Sequence, residues 1–234
     1  MDSRNNITVI MPTFNGQRYI GEQIESIISA LSQGDELICL DDASTDDTVH
    51  ILTKLARDFK QLTVYVNEVN LGPNMTVWKL LQLVQTELFV FCDQDDIWLP
   101  GRLDITRKCS INELSVVAYQ PFVLNGAFLT PVRPKKLNWL RTIVKPTVPG
   151  CTIGGSVKIV RKLFPLGNIS SIYDQFILMN ALLKKVKINV DNEVRILYRR
   201  HDNTVTKMGF APDGITCALV RKFVLIKDIS HALL

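Results

Sequence analysis

The sequence lacks the motifs by which many α/β proteins bind phosphate groups. No Gly-x-Gly-x-x-Gly and no Walker sequence follows any predicted strand, so the dinucleotide-binding and P-loop NTPase versions of such a fold lose support. A long uninterrupted apolar segment is also missing. Residues 114–132 carry no charge, but polar residues, two prolines and a glycine break them, and we reject a membrane-spanning helix there.

The five cysteines show no metal or disulfide framework. The cysteines are odd in number, scattered and without zinc-site spacing: Cys39, Cys92, Cys109, Cys151 and Cys217. The first six residues contain no apolar stretch, so we predict no signal peptide. We therefore expect a cytoplasmic protein whose cysteines are reduced core residues.

Charge is nearly balanced in number but uneven in position. The formal charge is +4, with acids concentrated before residue 100 and a basic second half. This asymmetry suits an anionic ligand or an anionic membrane surface, with nucleic acid as a further alternative.

One stretch places acids directly after an apolar run. Residues 89–92 are rich in β-formers, and Asp93, Asp95 and Asp96 follow within four positions. The pattern predicts a buried strand that delivers carboxylates to its C-terminal end. Because acids this close repel one another, we expect a cation, and oxygen ligands favour Mg²⁺ or Mn²⁺. The alternative is a polar turn in which Asp96 caps a following helix.

The first hundred residues alternate between strand and helix patterns. We predict strands at 7–11, 37–40, 62–66 and from 87, and helices at 20–31, 48–59 and from 73. Gly34 is the expected C-cap of the first helix, and residues 44–47 supply the N-cap of the second. The order indicates an α/β fold with a mostly parallel, Rossmann-like sheet and helices on both faces. Ligands of such sheets bind beyond the strand C-termini, where residues 12–16, 41–42 and 93–96 should meet.

The pattern weakens after residue 100. We predict a helix at 102–114, one or two strands within 116–129, a helix at 172–185, and strands at 186–190 and 194–198. Residues 137–144 are ambiguous. The glycine-rich stretch 149–156 suits backbone that approaches a ligand closely, or a plain loop. The basic amphipathic tail 215–234 packs on the core or lies on a membrane surface.

Three segments together resemble the family 2 glycosyltransferases of the GT-A fold. They are Pro-Thr-Phe-Asn-Gly from residue 12, Leu-Asp-Asp-Ala-Ser-Thr-Asp from residue 40, and Cys-Asp-Gln-Asp-Asp-Ile-Trp-Leu-Pro from residue 92. The third looks like the rhamnosyltransferase-type branch that builds bacterial surface polysaccharide. The resemblance runs from about residue 7 to about residue 203. One departure is Gln120 and Pro121, where relatives often carry an acid.

The resemblance implies a site for a nucleoside-diphosphate sugar. Its nucleotide-side residues would be Pro12, Thr13 and Phe14 at the base, Asp41 and Asp42 at base or ribose, Asn70 near the nucleoside, and Asp93 at the ribose. Arg199 and Arg200 match the segment that closes over the diphosphate, and one of them is expected to face solvent.

The resemblance also implies a metal, a catalytic base and an acceptor side. Asp95 would ligate Mg²⁺ or Mn²⁺, and Asp174 would be the base, or else a helix N-terminal acid favoured by the helix dipole. His201 would ligate the metal or touch phosphate, or it is a surface residue. Gly154 and Gly155 lie in a stretch similar to the acceptor-side loop.

These expectations describe an inverting glycosyltransferase that uses dTDP-rhamnose or a UDP-hexose. Its acceptor would be a hydroxyl of a lipid-linked or oligosaccharide molecule in surface polysaccharide synthesis, with peripheral contact at the inner face of the plasma membrane and no nucleic-acid partner. Residues 1–110 would bind the nucleotide sugar, residues 111–210 would carry the acceptor side and base, and residues 211–234 form the tail. The alternatives are a sugar-phosphate nucleotidyltransferase and a noncatalytic nucleotide-sugar-binding module.

Overall fold

The computed structural model of the chain describes residues 6–123, 126–134, 137–139, 142, 148–165, 169–201 and 224–229. Within these residues the strands are β1 (Ile7–Thr13), β2 (Glu36–Asp41), β3 (Leu62–Val66), β4 (Leu88–Phe91), β5 (Ile97–Trp98), β6 (Glu113–Val123), β7 (Ile153–Ser156) and β8 (Lys187–Arg200). The helices are α1 (Ile20–Ile28), α2 (Thr48–Asp58), α3 (Pro73–Leu83), α4 (Asp104–Arg107), α5 (Val157–Leu163) and α6 (Tyr173–Leu183). A 3₁₀ turn, Gly150–Thr152, precedes β7.

The strands form one sheet in the order β3-β2-β1-β4-β7-β6-β8-β5. β1 lies between β2 and β4 and is parallel to both, and β2 is parallel to β3. Beyond β4 the sheet becomes mixed, because β7 is antiparallel to β4 and β6 whereas β8 is parallel to β6. The predicted α/β class with a mostly parallel sheet is confirmed. The division of the chain at residues 110 and 210 stays a prediction, and one sheet runs through both halves.

Helices cover both faces of the sheet and enclose two apolar clusters. In α1, Ile20, Ile24 and Ile27 recur every three or four residues, so they share one side of the helix, and all are fully buried. They belong to the same cluster as Leu52 of α2. α3, α5 and α6 contribute to the second cluster, with Leu80 of α3 among its fully buried members.

The helix predicted at 102–114 is wrong. The structure has only the one-turn helix α4 there, and β6 begins at Glu113. The Glu113 carboxylate accepts hydrogen bonds from the Ser110 backbone N–H and from the side chains of Asn189 and Lys187. These contacts with β8 favour a strand where the local pattern allows a helix.

The two strands predicted at 186–190 and 194–198 are one strand, β8. Its polar middle resembles a turn in the sequence, but pairing with β6 continues through it, with an irregular register between Val117 and Tyr119. Gly34 is also misassigned, because α1 ends at Ile28 and Gly34 lies in the turn before β2 with φ +93°. Residues 114–123 of the chargeless stretch lie in β6.

The described part of the C-terminal tail packs on the core. Residues 224–229 form a short helix in which Leu225 and Ile229 are 4% and 6% exposed and join the apolar cluster of α3 and α6. The rest of the predicted tail, including Cys217, lies outside the described residues. Among the described residues, no helix is both long enough and apolar enough to cross a bilayer.

Gly155 in β7 offers a direct test of the sheet order. Its φ is +133°, and a Cβ there would lie 2.6 Å from the Glu113 carbonyl oxygen. We expect Gly155→Ala to lower the free energy of unfolding by about 2–4 kcal/mol through strain and overlap. Gly21→Ala is the control, since a Cβ in α1 meets nothing within 4 Å, and it should raise stability by about 0.5–1 kcal/mol. Equal urea midpoints for both variants would contradict the placement of β7.

Candidate active site

The carboxyl ends of β1, β2 and β4 lie side by side, as predicted. Pro12 and Thr13 end β1 and pair with residues that end β2. The Thr13 hydroxyl donates to Asp41 at 2.8 Å. The Cys92 backbone N–H that follows β4 donates to the Ile10 carbonyl of β1 at 3.0 Å. Three motifs that are far apart in the sequence therefore meet at one edge of the sheet.

Asp95 and Asp96 have different partners. Asp95 Oδ2 lies 2.8 Å from His201 Nε2, so the structure brings together the two residues predicted to ligate a metal. Asp96 is 1% exposed, and its Oδ1 accepts from the Arg199 backbone N–H at 3.0 Å. The alternative in which Asp96 caps a following helix is wrong, because α4 begins only at Asp104.

Asp93, Asp96 and Cys151 form a cluster close to Asp95. One potential ligand atom from each lies within 4.8 Å of the other two. Asp96 Oδ2 has no hydrogen-bond partner among the described residues, and an unpaired buried carboxylate oxygen is unfavourable. The carboxylates of Asp93, Asp95 and Asp96 and the His201 imidazole fit a divalent cation, whereas a protonated Cys151 thiol is not a ligand for Mg²⁺ or Mn²⁺. Cys151 was not predicted as a site residue, since its only signal in the sequence is its place in the glycine-rich stretch.

The electrostatics of the cluster follow from burial. Burial, followed by the charges of Asp95 and Asp174, raises the pKa of Asp93 to about 7. Burial, then the charges of Asp93 and Asp95, raises the pKa of Asp96 well above its usual value. Burial likewise raises the pKa of the Cys151 thiol. A bound cation would lower the pKa values of these carboxyl groups, because it favours their charged form.

Asp174 reaches the same region from the first turn of α6. Its Oδ2 accepts from the Gly150 backbone N–H at 3.0 Å, and its Oδ1 accepts from the Gln175 backbone N–H at 2.6 Å. Burial raises the pKa of Asp174 to about 6, although these two hydrogen bonds lower it. Because its charge also raises the pKa of Asp93, the two carboxylates share one electrostatic environment.

Asp41 and Asp42, predicted at the base or ribose, point into the protein. Asp41 is fully buried and accepts from the side chains of Thr13 and Ser44. Asp42 is 4% exposed and accepts from Asn67 Nδ2 and from the backbone N–H groups of Leu71 and Gly72, at 2.8–2.9 Å. Both carboxylates therefore fix the loops after β2 and β3.

The loop after β3 borders a pocket. Asn70 is exposed, and its Oδ1 accepts from the Gly72 N–H at 3.1 Å. A pocket of about 300 Å³ beside it is lined by Val66, Asn67, Glu68, Val69, Leu71 and Lys79. It is adjacent to Asp42 and lies on the side predicted for the nucleoside.

Gln94 links the acid segment to the loop after β1. Its side-chain oxygen accepts from the Phe14 N–H, and its nitrogen donates to the Phe14 carbonyl, both at 2.9 Å. A Cβ at Gly16 would overlap the Gln94 amide, so a side chain there would displace Gln94 from Phe14. Phe14, predicted at the base, is 44% exposed and held by this pair of bonds. Gln94 could not be predicted as a site residue, because its partner lies 80 residues away in the chain.

Arg199 and Arg200 have different surroundings. The Arg199 guanidinium donates to the Asp95 carbonyl at 2.7 Å, pairs with Glu22, and lies over the Tyr19 ring. Its side chain therefore holds the acid segment. Arg200 Nε is buried and has no hydrogen-bond partner among the described residues. Neither arginine is fully exposed, whereas one of them was expected to face solvent.

The predicted loop position of Gly154 and Gly155 is wrong. Both lie in β7, between β4 and β6. A Cβ on Gly154 would lie 2.9 Å from the Phe89 carbonyl oxygen, so the close approach that requires glycine is to a neighbouring strand. The backbone that does reach the site is at Gly150. A side chain at this position would overlap the Tyr173 ring.

Comparison with known proteins agrees with this geometry. The sequence model described as Glycosyl transferase family 2 matches residues 8–164. The chain is 26% identical over 211 residues to dTDP-rhamnosyl transferase RfbG of Shigella flexneri, covering 82% of this chain and 72% of that protein. It is 25% identical over 233 residues to the Escherichia coli protein named UDP-Glc:alpha-D-GlcNAc-diphosphoundecaprenol beta-1,3-glucosyltransferase WfaP, covering 95% and 86%.

Solved structures of TarS from S. aureus share the fold. TarS 1-349 superposes with a TM-score of 0.65 at 22% identity, covering 83% of this chain and 60% of that one. The same part of TarS in complex with UDP-GlcNAc gives a TM-score of 0.66 at 21% identity, with 85% and 60% covered. This chain thus spans about 60% of the length of those solved chains. The fold is of the GT-A type, and the chain belongs to glycosyl transferase family 2.

The raised pKa of Asp174 predicts a gain in stability when its charge is removed. The pKa of Asp174 is about 6 in the folded state and 3.8 ordinarily, so the folded state binds the proton more tightly. The free energy of unfolding therefore falls as the pH rises from about 3.8 to about 6. At about 1.4 kcal/mol per pKa unit the upper limit is about 3 kcal/mol. Allowing for weakened hydrogen bonds, we expect Asp174→Asn to stabilise the protein by about 1–2 kcal/mol at pH 8 and about half as much at pH 5.

Urea unfolding at the two pH values measures this difference. Asp58→Asn, at an exposed position on α2, is the control and should change stability little at either pH. Destabilisation by Asp174→Asn at pH 8 would show that the Asp174 charge is well compensated in the folded protein.

Proposed function

We propose that the chain is an inverting glycosyltransferase that acts in bacterial surface polysaccharide synthesis. It would transfer a sugar from a nucleoside-diphosphate donor to a hydroxyl group of a lipid-linked or oligosaccharide acceptor. The observation that carries this proposal is the position of Asp174, a half-buried carboxylate with a pKa of about 6 next to the acid cluster at the sheet edge. A base with that pKa is largely ionised at neutral pH yet still accepts a proton.

In the proposed reaction Asp174 takes the proton of the acceptor hydroxyl. The acceptor oxygen forms a bond to the anomeric carbon while the bond from that carbon to the diphosphate oxygen breaks, and the electron pair leaves with the nucleoside diphosphate. The single displacement inverts the anomeric configuration. The Gly150 and Gln175 backbone N–H groups hold the Asp174 carboxylate in one orientation for this step.

Asp95 and His201 would hold a divalent cation, Mg²⁺ or Mn²⁺, with Asp93 beside them. Such a cation stabilises negative charge on a departing diphosphate. Of the two arginines, we assign Arg200 to the diphosphate. Its Nε has no hydrogen-bond partner among the described residues, whereas the Arg199 guanidinium donates to the Asp95 carbonyl.

The donor is proposed to be dTDP-rhamnose or a UDP-hexose. One similar protein is named a dTDP-rhamnosyl transferase, another a UDP-Glc-dependent glucosyltransferase, and TarS has been solved with UDP-GlcNAc. The pocket beside Asp42 is the proposed place for the nucleoside. Release of nucleoside diphosphate from a panel of activated sugars, with water as acceptor, would identify the donor.

Replacing the proposed base tests the reaction. Asp174→Asn should lower donor turnover at least about 100-fold, because the acceptor proton has no carboxylate to receive it. UDP or dTDP should bind within about twofold of wild type by calorimetry. Glu25→Gln, exposed on α1, is the control and should keep wild-type turnover. Equal loss of turnover and nucleotide affinity in Asp174→Asn would count against a base role.

The metal assignment has a separate test. Wild type should lose activity in EDTA and regain it with Mn²⁺, and Asp95→Ala should stay inactive with Mn²⁺ because the carboxylate that pairs with His201 is gone. Calorimetric titration with Mn²⁺ gives a second readout, in which the variant should show at least about tenfold weaker binding. An Asp95→Ala variant that is fully active in EDTA would exclude this site.

A further inference from the structure

The segment that leads into Asp174 is held from one side by α3. Asn74, in the first turn of that helix, accepts from the Tyr173 backbone N–H at 3.0 Å through its Oδ1. Its Nδ2 donates to the carbonyl oxygens of Ile169 and Ser171, at 3.0 and 2.9 Å. One side chain thereby satisfies three backbone groups of residues 169–173, nearly a hundred positions away in the sequence.

The C-terminal tail holds the same segment from another side. Asp228 Oδ2 accepts from the backbone N–H groups of Ser170 and Ser171, at 3.0 and 2.7 Å, and from the Ser171 hydroxyl at 2.7 Å. Leu225 and Ile229 anchor the short helix that carries Asp228 in the apolar cluster beneath α6. All three bonds converge on one carboxylate oxygen, so an amide oxygen could take its place.

These contacts act where α6 begins. A helix N-terminus leaves backbone N–H groups without intrahelical partners, and the Ile172 side chain makes no capping hydrogen bond there. Asn74 binds the N–H of Tyr173, the residue immediately before Asp174. The start of α3 is in turn tied to the nucleotide side, because Asp42 binds the N–H of Gly72. The chain around Asp174 therefore depends on distant side chains for its position.

We propose that Asn74 and Asp228 are positioning residues for Asp174, so that Asp228 of the C-terminal tail completes the base side of the site. This inference rests on the proposed function, in which Asp174 is the base. Loss of either side chain frees two or three backbone groups of residues 169–173 and lets the Asp174 carboxylate move. Misplacement of a catalytic group by about 1 Å lowers turnover by about 100-fold.

Alanine variants test the proposal with dTDP-rhamnose and UDP-glucose as probes. Asn74→Ala and Asp228→Ala should each lower kcat for nucleoside-diphosphate release about 10- to 100-fold, with the donor KM within about threefold of wild type. Asp228→Asn keeps an oxygen at the bonding position and should recover most of the lost kcat. Ile226→Ala is the matched control, because Ile226 lies in the same short helix and is 53% exposed.

Parallel measurements separate positioning from folding. Thermal unfolding and calorimetric binding of UDP or dTDP show whether each variant is folded and retains the nucleotide side. Wild-type kcat in both alanine variants, equal loss of kcat and nucleotide affinity, or an Asp228→Asn variant as impaired as Asp228→Ala would each overturn the proposal.

The Asp174→Asn variant, assayed alongside, separates the base role of Asp174 from the positioning role of Asn74 and Asp228. If it keeps wild-type turnover, the base role itself fails. If it is inactive while Asn74→Ala and Asp228→Ala are unimpaired, the base role stands and only the positioning role fails.

Discussion

The site depends on holding several carboxylates together at the end of a buried strand. Three acids follow β4 within four residues, and Asp174 adds a fourth, although like charges in a poorly solvated place repel one another. Three of these acids contact a group from elsewhere in the chain. Asp95 pairs with His201, Asp96 accepts from the Arg199 N–H, and Asp174 accepts from the Gly150 N–H. The acid edge therefore exists only once β4, β8 and α6 have assembled.

The parallel half of the sheet could be predicted from the sequence because its information is local. Each strand is a short apolar run, each helix has its apolar residues at helical spacing, and strand order then places the carboxyl ends at one edge. β7 could not be predicted. Its residues, Ile153–Ser156, include two glycines, which are poor strand formers, and only pairing with β4 and β6 on its two sides makes a strand of them. The same dependence on distant partners explains the missed β8 continuity and the false helix before β6.

For the site, residue types could be predicted from the sequence but side-chain directions could not. Residue type indicates what a side chain can bind, and Asp95 and His201, both considered as metal ligands, do lie within hydrogen-bond distance of each other. Side-chain direction is decided by contacts that the sequence does not display. Arg199 was expected at the diphosphate, yet its guanidinium holds the Asp95 carbonyl. Gln94 stands between two acids in the sequence, yet its side chain pairs with both backbone groups of Phe14.

The central position of β4 also governs how the site can move. β4 has only four residues, with β1 on one side and β7 on the other. Amide hydrogens of a strand enclosed in this way exchange with solvent only during rare, large openings of the sheet. The base of the acid segment therefore belongs to the slowly exchanging part of the described sheet, whereas the exposed loop of Phe14 after β1 can move without opening that sheet.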